Sequence, residues 1–186
     1  MKLLMRGTDL VGLPVVTLDG DDIAEVRDVL FDGEHGAVHG FTLNKRGLLS
    51  GRLKEHLPRA QVRAIGPHAV MVATAVELAG DQMETAPAGG NVLADRVMTD
   101  TGVQVGTVTD VVIDTSDGDV VGFELVPADE PDQKKGRRAY LPLPETGAVS
   151  GEAVIVPAAC VDYITSDFED FDEAVDRYRT QQGGVL

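Results

Sequence analysis

The chain has 186 residues, 43% of them apolar and 4% aromatic with no Trp, and a formal net charge of −15. That length holds one ordinary domain or two small ones, and without Trp the cores must be built from Val, Leu, Ile and Ala. The acidic balance works against long-range attraction to nucleic acid or anionic membrane. The single Cys160 excludes an intrachain disulfide, and no apolar run is long enough to span a bilayer.

In chain order, residues 1–12 are a lead-in whose apolar start is interrupted by Arg6, Gly7, Thr8 and Asp9 before a signal-peptide core could form. With the lone cysteine, this places the chain in a reducing, cytoplasmic compartment. Residues 13–17 are a short strand that Pro14 confines to a strand start or a sheet edge. Asp19-Gly20-Asp21-Asp22 is a turn. Residues 23–32 form a long strand, Gly33 to Gly36 turn it, and residues 37–44 return as its hairpin partner. A polar, basic loop over 45–56 follows, then an extended piece from Leu57-Pro58. Residues 61–65 and 69–73 flank the Gly66-Pro67 turn. Residues 79–91 have linker composition and mark a domain boundary.

The second half repeats the first. Shifted by 82 positions, residues 105–125 match residues 23–43 at nine of 21 positions, among them Val26/Val108, Asp28/Asp110, Asp32/Asp114, Gly36/Gly118, Gly40/Gly122, Phe41/Phe123 and Leu43/Leu125. Gly20 is echoed by Gly102, and Leu57-Pro58 by Leu141-Pro142 at a spacing of 84. Self-similarity of this kind predicts a duplicated unit: copy one over 1–78, a linker over 79–91 and copy two over 92–165. A last segment, 166–182, has no counterpart. Ser166 and Glu169 form a capping box, and Phe168, Phe171, Val175 and Tyr178 fall on one face of a helix. Asp170, Asp172, Glu173 and Asp176 take the remainder.

Each copy shows a long strand ending in Asp, a tight Gly turn, Val-x-Gly-Phe-x-Leu, a polar loop and Leu-Pro before a Val-rich hairpin. The runs are Val26-Arg-Asp-Val-Leu-Phe-Asp with Val38-His-Gly-Phe-Thr-Leu, and Val108-Thr-Asp-Val-Val-Ile-Asp with Val120-Val-Gly-Phe-Glu-Leu. This pattern resembles the PRC-barrel family, the small β-barrel found in the photosynthetic reaction centre H subunit and in a ribosome maturation factor. The resemblance implies a mainly all-β protein of two tandem barrels with a C-terminal helix. It implies docking to proteins rather than catalysis and carries no catalytic residues. The membrane helix of the one member and the separate N-terminal domain of the other have no equivalent in the sequence, so neither specific role transfers.

Residues shared by both copies are those the fold requires; function is expected where the copies differ. Asp28/Asp110 and Asp32/Asp114 are therefore structural, bonding turn backbone. The acids over 114–119 lack the spacing of a calcium loop, and a hairpin turn explains them better. On a strand His35 and His39 stand ~13 Å apart, too far for one ion, and neither His56 nor His68 has an evident partner. Cys160 reads as a small buried side chain. Serines 50, 116, 150 and 166 lie outside any nucleophile elbow. Neither an enzyme, a cofactor nor a metal is expected.

Charge is the informative asymmetry. Lys45, Arg46, Arg52, Lys54, Arg59 and Arg63 cluster in copy one, and Lys134, Lys135, Arg137 and Arg138 in the equivalent loop of copy two, ten of the 16 basic residues. Three readings stay open: solvated loops balancing the acidic body, a dock for the acidic C-terminal helix within or between subunits of a dimer, or a site for an anionic partner. Phosphate contacts need only Lys and Arg, but the aromatics that stack bases are missing, so an acidic protein ranks above RNA. The candidate contact residues are Lys45, Arg46, Arg52, Lys54, Lys134, Lys135, Arg137 and Arg138, with Phe168 and Phe171 as apolar anchors. The expected function is a non-catalytic scaffold or adaptor; the alternative is an RNA- or ribosome-associated assembly factor.

Overall fold

The computed structural model describes residues 3–32, 36–46, 51–81, 92–130, 136–143, 148–150 and 153–183. His35, Ser50, Lys134 and Lys135 lie outside them. The first copy contains β1 (Leu4–Arg6), a short helix α1 (Gly7–Leu10), β2 (Pro14–Thr17), β3 (Asp22–Asp32), β4 (Ala37–Asn44), β5 (Arg52–Pro58), β6 (Val62–Ile65), β7 (Val70–Val72) and β8 (Ala79–Asp81). The second contains β9 (Arg96–Thr99), β10 (Gln104–Asp114), β11 (Val120–Pro127), β12 (Ala139–Pro142), β13 (Ala148–Ser150), β14 (Ala153–Val156) and the C-terminal helix α2 (Phe171–Gly183).

The protein is mainly β, and its two sheets have the same plan. The first runs β6-β7-β2-β3-β4-β5-β8; the second, read from its other end, runs β13-β14-β9-β10-β11-β12. Strand for strand, the first six match. In both, the short opening strand pairs antiparallel with the long strand and parallel with the late Val-rich strand: β2 with β3 and β7, β9 with β10 and β14. This parallel pair curls each sheet and closes the core between distant parts of the chain. The pattern of local hairpins could not announce it.

The cores superimpose in sequence. Leu10/Val92, Val15/Val97, Val26/Val108, Phe41/Phe123, Leu43/Leu125, Leu57/Leu141 and Val72/Val156 are all buried. Aliphatic side chains alternating on pleated strands fill both interiors, as the aromatic-poor composition requires. Gly20 and Gly102 hold φ of 93° and 83° in equivalent turns, a conformation that Gly adopts without the Cβ clash. Each turn is also tied by a threonine: the Asp21 amide donates to Thr17 Oγ1 at 3.1 Å and the Val103 amide to Thr99 Oγ1 at 3.0 Å. Asp28 and Asp110 each accept from the next residue's amide, at 2.8 Å.

Contacts divide the molecule into two units, residues 1–90 with 113–119, and residues 91–112 with 120–186. Residues 113–119, the tip of the β10–β11 hairpin, thus cluster with the first unit. There Thr115 donates its amide and hydroxyl to Leu3 O, and the Val38 amide donates to Gly118 O at 3.1 Å.

Four expectations change. The lead-in holds α1, fixed by the exposed Arg6–Asp9 ion pair at 2.9 Å. The polar loop after β4 is shorter than 45–56, because residues 52–58 pair with β4 as β5. The linker does not begin at 79, because β8 adds to the edge of β5. The C-terminal helix starts at Phe171 rather than Ser166: Asp167 takes the Glu169 amide at 3.1 Å and its carbonyl accepts from Thr165 Oγ1. That local turn outcompetes the capping box.

Candidate functional site

The two units differ most on the face where the long hairpin meets the next strand, β3-β4-β5 in one and β10-β11-β12 in the other. In the second unit this face carries a polar network around one carboxylate. Glu124, in the middle of β11 and 8% exposed, accepts from Thr109 Oγ1 at 3.0 Å and from Tyr140 Oη at 3.2 Å. The Arg138 guanidinium stands 3.4 Å from its Oε1. A buried carboxylate is costly unless it is paired and hydrogen-bonded, and here β10, β12 and the residue before β12 supply the partners.

Tyr140 links the network to α2. Its ring lies 5.3 Å from that of half-buried Phe168 and 5.8 Å from that of Phe171, which is fully buried. Gly122 makes room: a Cβ there would strike both the Leu141 carbonyl and the Phe171 ring. Ala174, Val175 and Tyr178 continue the buried stripe. At its far end Cys160, fully buried, donates to Tyr178 Oη at 2.9 Å. Burial pushes the thiol up in pKa, and burial with the Cys160 contact raises the Tyr178 hydroxyl as well. Phe168 and Phe171 thus anchor the helix to its own unit. The bonds described for the basic loop of this unit go elsewhere: Arg137 pairs with Asp129 at 2.9 Å and approaches Glu130 at 3.9 Å.

In the first unit the equivalent positions read Arg27, Thr42, Lys54 and His56, replacing Thr109, Glu124, Arg138 and Tyr140. The cross-strand pair is the same in both copies, Thr42 opposite His56 as Glu124 is opposite Tyr140, but in the first copy the register shifts between Thr42 and Asn44, next to Lys54. Arg27 lies at a bulge between the Val26–Leu43 and Asp28–Thr42 pairs. The carboxylate is missing, Lys54 keeps the cation of Arg138, and Arg27 adds one where Thr109 is neutral. Arg27 and Lys54 are exposed, with no ion-pair partner among the described residues. Thr42, 7% exposed, has a buried hydroxyl with no hydrogen-bond partner. His56, 2% exposed, is not the partnerless residue expected from sequence: its Nδ1 lies 3.1 Å from Gly80 O, and its ring stacks on His39 at 6.1 Å.

The other predicted contact residues of this unit divide. Arg46 pairs with Asp22 and, at 3.5 Å, with Glu25. Arg59 donates to Val62 O and Asp117 O. Arg52 also has an interaction partner. Lys45 and Lys54 are exposed and unpaired among the described residues. Sequence reasoning selected Lys54 and Arg138 but passed over Arg27, Thr42, His56, Thr109, Glu124 and Tyr140. The available signal was the alignment itself, at the positions where the copies disagree in charge.

Among the described residues no helix is long and apolar enough to cross a membrane. A comparison with curated proteins finds no match. The family model for the PRC-barrel domain matches twice, at residues 4–78 and 88–167. With both matches falling on the duplicated sheets, the chain belongs to the PRC-barrel family as a tandem pair of these domains.

Proposed function

We propose that the chain is a non-catalytic, cytoplasmic adaptor that docks an acidic protein surface through the basic face of its first barrel. The observation that carries this reading is the unequal fate of one duplicated cation, Arg138 in the second copy and Lys54 in the first. In the second copy Arg137 and Arg138 engage Asp129, Glu130 and Glu124 of their own unit. In the first copy Lys54, with Lys45 of the preceding loop, has no such partner among the described residues, against a body whose net charge otherwise repels anions. Cations held unpaired on an acidic protein favour a partner that brings the acids, and such pairing governs encounter rate and specificity more than bulk affinity. The second barrel, with Glu124 paired and α2 seated, serves as the rigid half.

The test is a capture experiment from lysate, with and without nuclease, comparing the native chain with two variants. In one, Lys45, Arg52 and Lys54 become Gln; in the other, Arg137 and Arg138 do. The adaptor reading expects a defined protein that survives nuclease, is lost with the first variant and is retained by the second. Ribosomal material that disappears with nuclease would replace it with the assembly-factor reading. Capture of a second copy of the chain alone would replace it with self-association.

A further inference from the structure

We infer that the first barrel holds a carboxylate-binding position, built from Arg27, Thr42 and Lys54 beside His56, which a Glu or Asp side chain of an acidic protein segment fills. The inference rests on the adaptor reading and narrows it to one place and one chemical group. Glu124 shows how such a carboxylate sits on this scaffold. From the middle strand it reaches the hydroxyl of position 109 on one side, and the cation of position 138 and hydroxyl of position 140 on the other. The first barrel keeps the strands, the cross-strand pair at this position and a cation two residues before His56, as Arg138 is before Tyr140, but replaces the Glu with Thr42 and adds a register irregularity between Thr42 and Asn44.

The consequences of that replacement follow from electrostatics. Arg27 adds a second cation where copy two has the neutral Thr109, so two positive charges flank a strand position that carries no negative one. Of the nearby acids, Glu25 pairs with Arg46, while Asp28, across from Thr42, accepts the Val29 amide and keeps its charge, as Asp110 does beside Glu124 in the second copy. The Thr42 hydroxyl is buried without a partner among the described residues, an unfavourable state for a polar group. An incoming carboxylate oxygen offers that hydroxyl an acceptor and offers Arg27 and Lys54 a charge. Arg can meet both carboxylate oxygens in a fork, which favours a planar carboxylate over a diffuse anionic surface.

The test measures fluorescence anisotropy of a labelled hexaglutamate peptide titrated with the full chain, beside a hexaserine peptide and a short single-stranded RNA. Wild type is expected to bind hexaglutamate and not hexaserine, with RNA the weaker ligand. Thr42→Glu supplies the carboxylate in cis, as Glu124 does, and should weaken hexaglutamate binding about tenfold or more. The Arg27→Gln/Lys54→Gln double variant should do the same, and it carries the test if Thr42→Glu fails to fold. Lys45→Gln, which removes another cation of the same face, should weaken binding less than the double variant does. If hexaglutamate binds but is insensitive to Thr42→Glu and to the double variant while Lys45→Gln abolishes it, the basic face stands and this position is overturned. Absence of hexaglutamate binding by wild type overturns the position, and the capture experiment then decides the adaptor reading separately. RNA binding tighter than hexaglutamate at the same residues overturns the carboxylate assignment.

Discussion

The two barrels share a strand order and a core, yet one face has been finished in different ways. In the second unit Tyr140 forms a bridge with Thr165, and the chain continues into α2, which drives Phe171 onto Gly122. In the first, His56 pairs with Ala79 and β8 extends the sheet edge. A duplicated core tolerates this divergence because the face in question lies outside the aliphatic interior that both copies need. Positions that pack the core stay alike, while positions that meet solvent, a helix or a partner are free to exchange a carboxylate for a hydroxyl.

The comparison breaks most visibly at the helix seat. Phe171→Ala should lower stability by about 3–5 kcal/mol, the usual range for emptying a buried aromatic site, read as a shifted urea midpoint. Gly122→Ala should also loosen α2, because its Cβ meets the Phe171 ring as well as the Leu141 carbonyl. Gly40→Ala meets the corresponding Leu57 carbonyl but should leave the helix protected from hydrogen exchange. Equal exchange of α2 amides in the two glycine variants would refute the assignment of Gly122 as the seat.

Next comes the buried network. Glu124→Gln keeps the shape but removes the charge facing Arg138, and should cost about 1–3 kcal/mol. The reciprocal change, Thr42→Glu in the first barrel, should hold or raise the melting temperature, since the cations are already in place. A loss of several degrees would mean that the copies are not interchangeable on this face.

A smaller effect sits in the turn before each short opening strand, β2 and β9. Ala94 holds φ of 72° where Gly12 holds 87°, and both amides bond the equivalent carbonyl, Val108 O and Val26 O. An Ala there carries a Cβ penalty of about 1 kcal/mol. Ala94→Gly should therefore stabilise by that order, and Gly12→Ala should destabilise by it, both checked by denaturant titration.

The smallest expected effect is alkaline. The Cys160 thiol and Tyr178 hydroxyl have raised pKa values in the fold, from ordinary values of 9.0 and 10.0. The folded state therefore holds these protons more tightly than the unfolded chain. Their contribution is fully present below pH 9.0 and is lost as pH rises through the folded values. Urea midpoints at about pH 8 and about pH 10.5 should converge for the Cys160→Ala/Tyr178→Phe variant relative to wild type.

Much of this was legible before any coordinates. The long strand, its Gly turn and its return are written in alternation and β-branching, because a half-buried strand needs a two-residue period. Duplication made the evidence twofold, and the pairs Gly40/Gly122 and Leu57/Leu141 located both sheets. The stripe of Phe171, Val175 and Tyr178 marked a helix for the same periodic reason. The charged loops were visible too, but not which of their charges were already satisfied. Arg138 and Lys54 look alike in sequence, and only the position of Glu124 separates them.

By itself, then, the sequence determined the β class, the two-copy plan and the existence of a terminal amphipathic helix, since these follow from local period and repetition. Tertiary structure decided the parallel β2–β7 and β9–β14 pairs, the start of α2 at Phe171, the stacking of His39 on His56 and the unanswered hydroxyl of Thr42. Each depends on which groups distant segments bring within bonding distance, and a hydrogen bond or ion pair is set by that distance rather than by the residues' order along the chain.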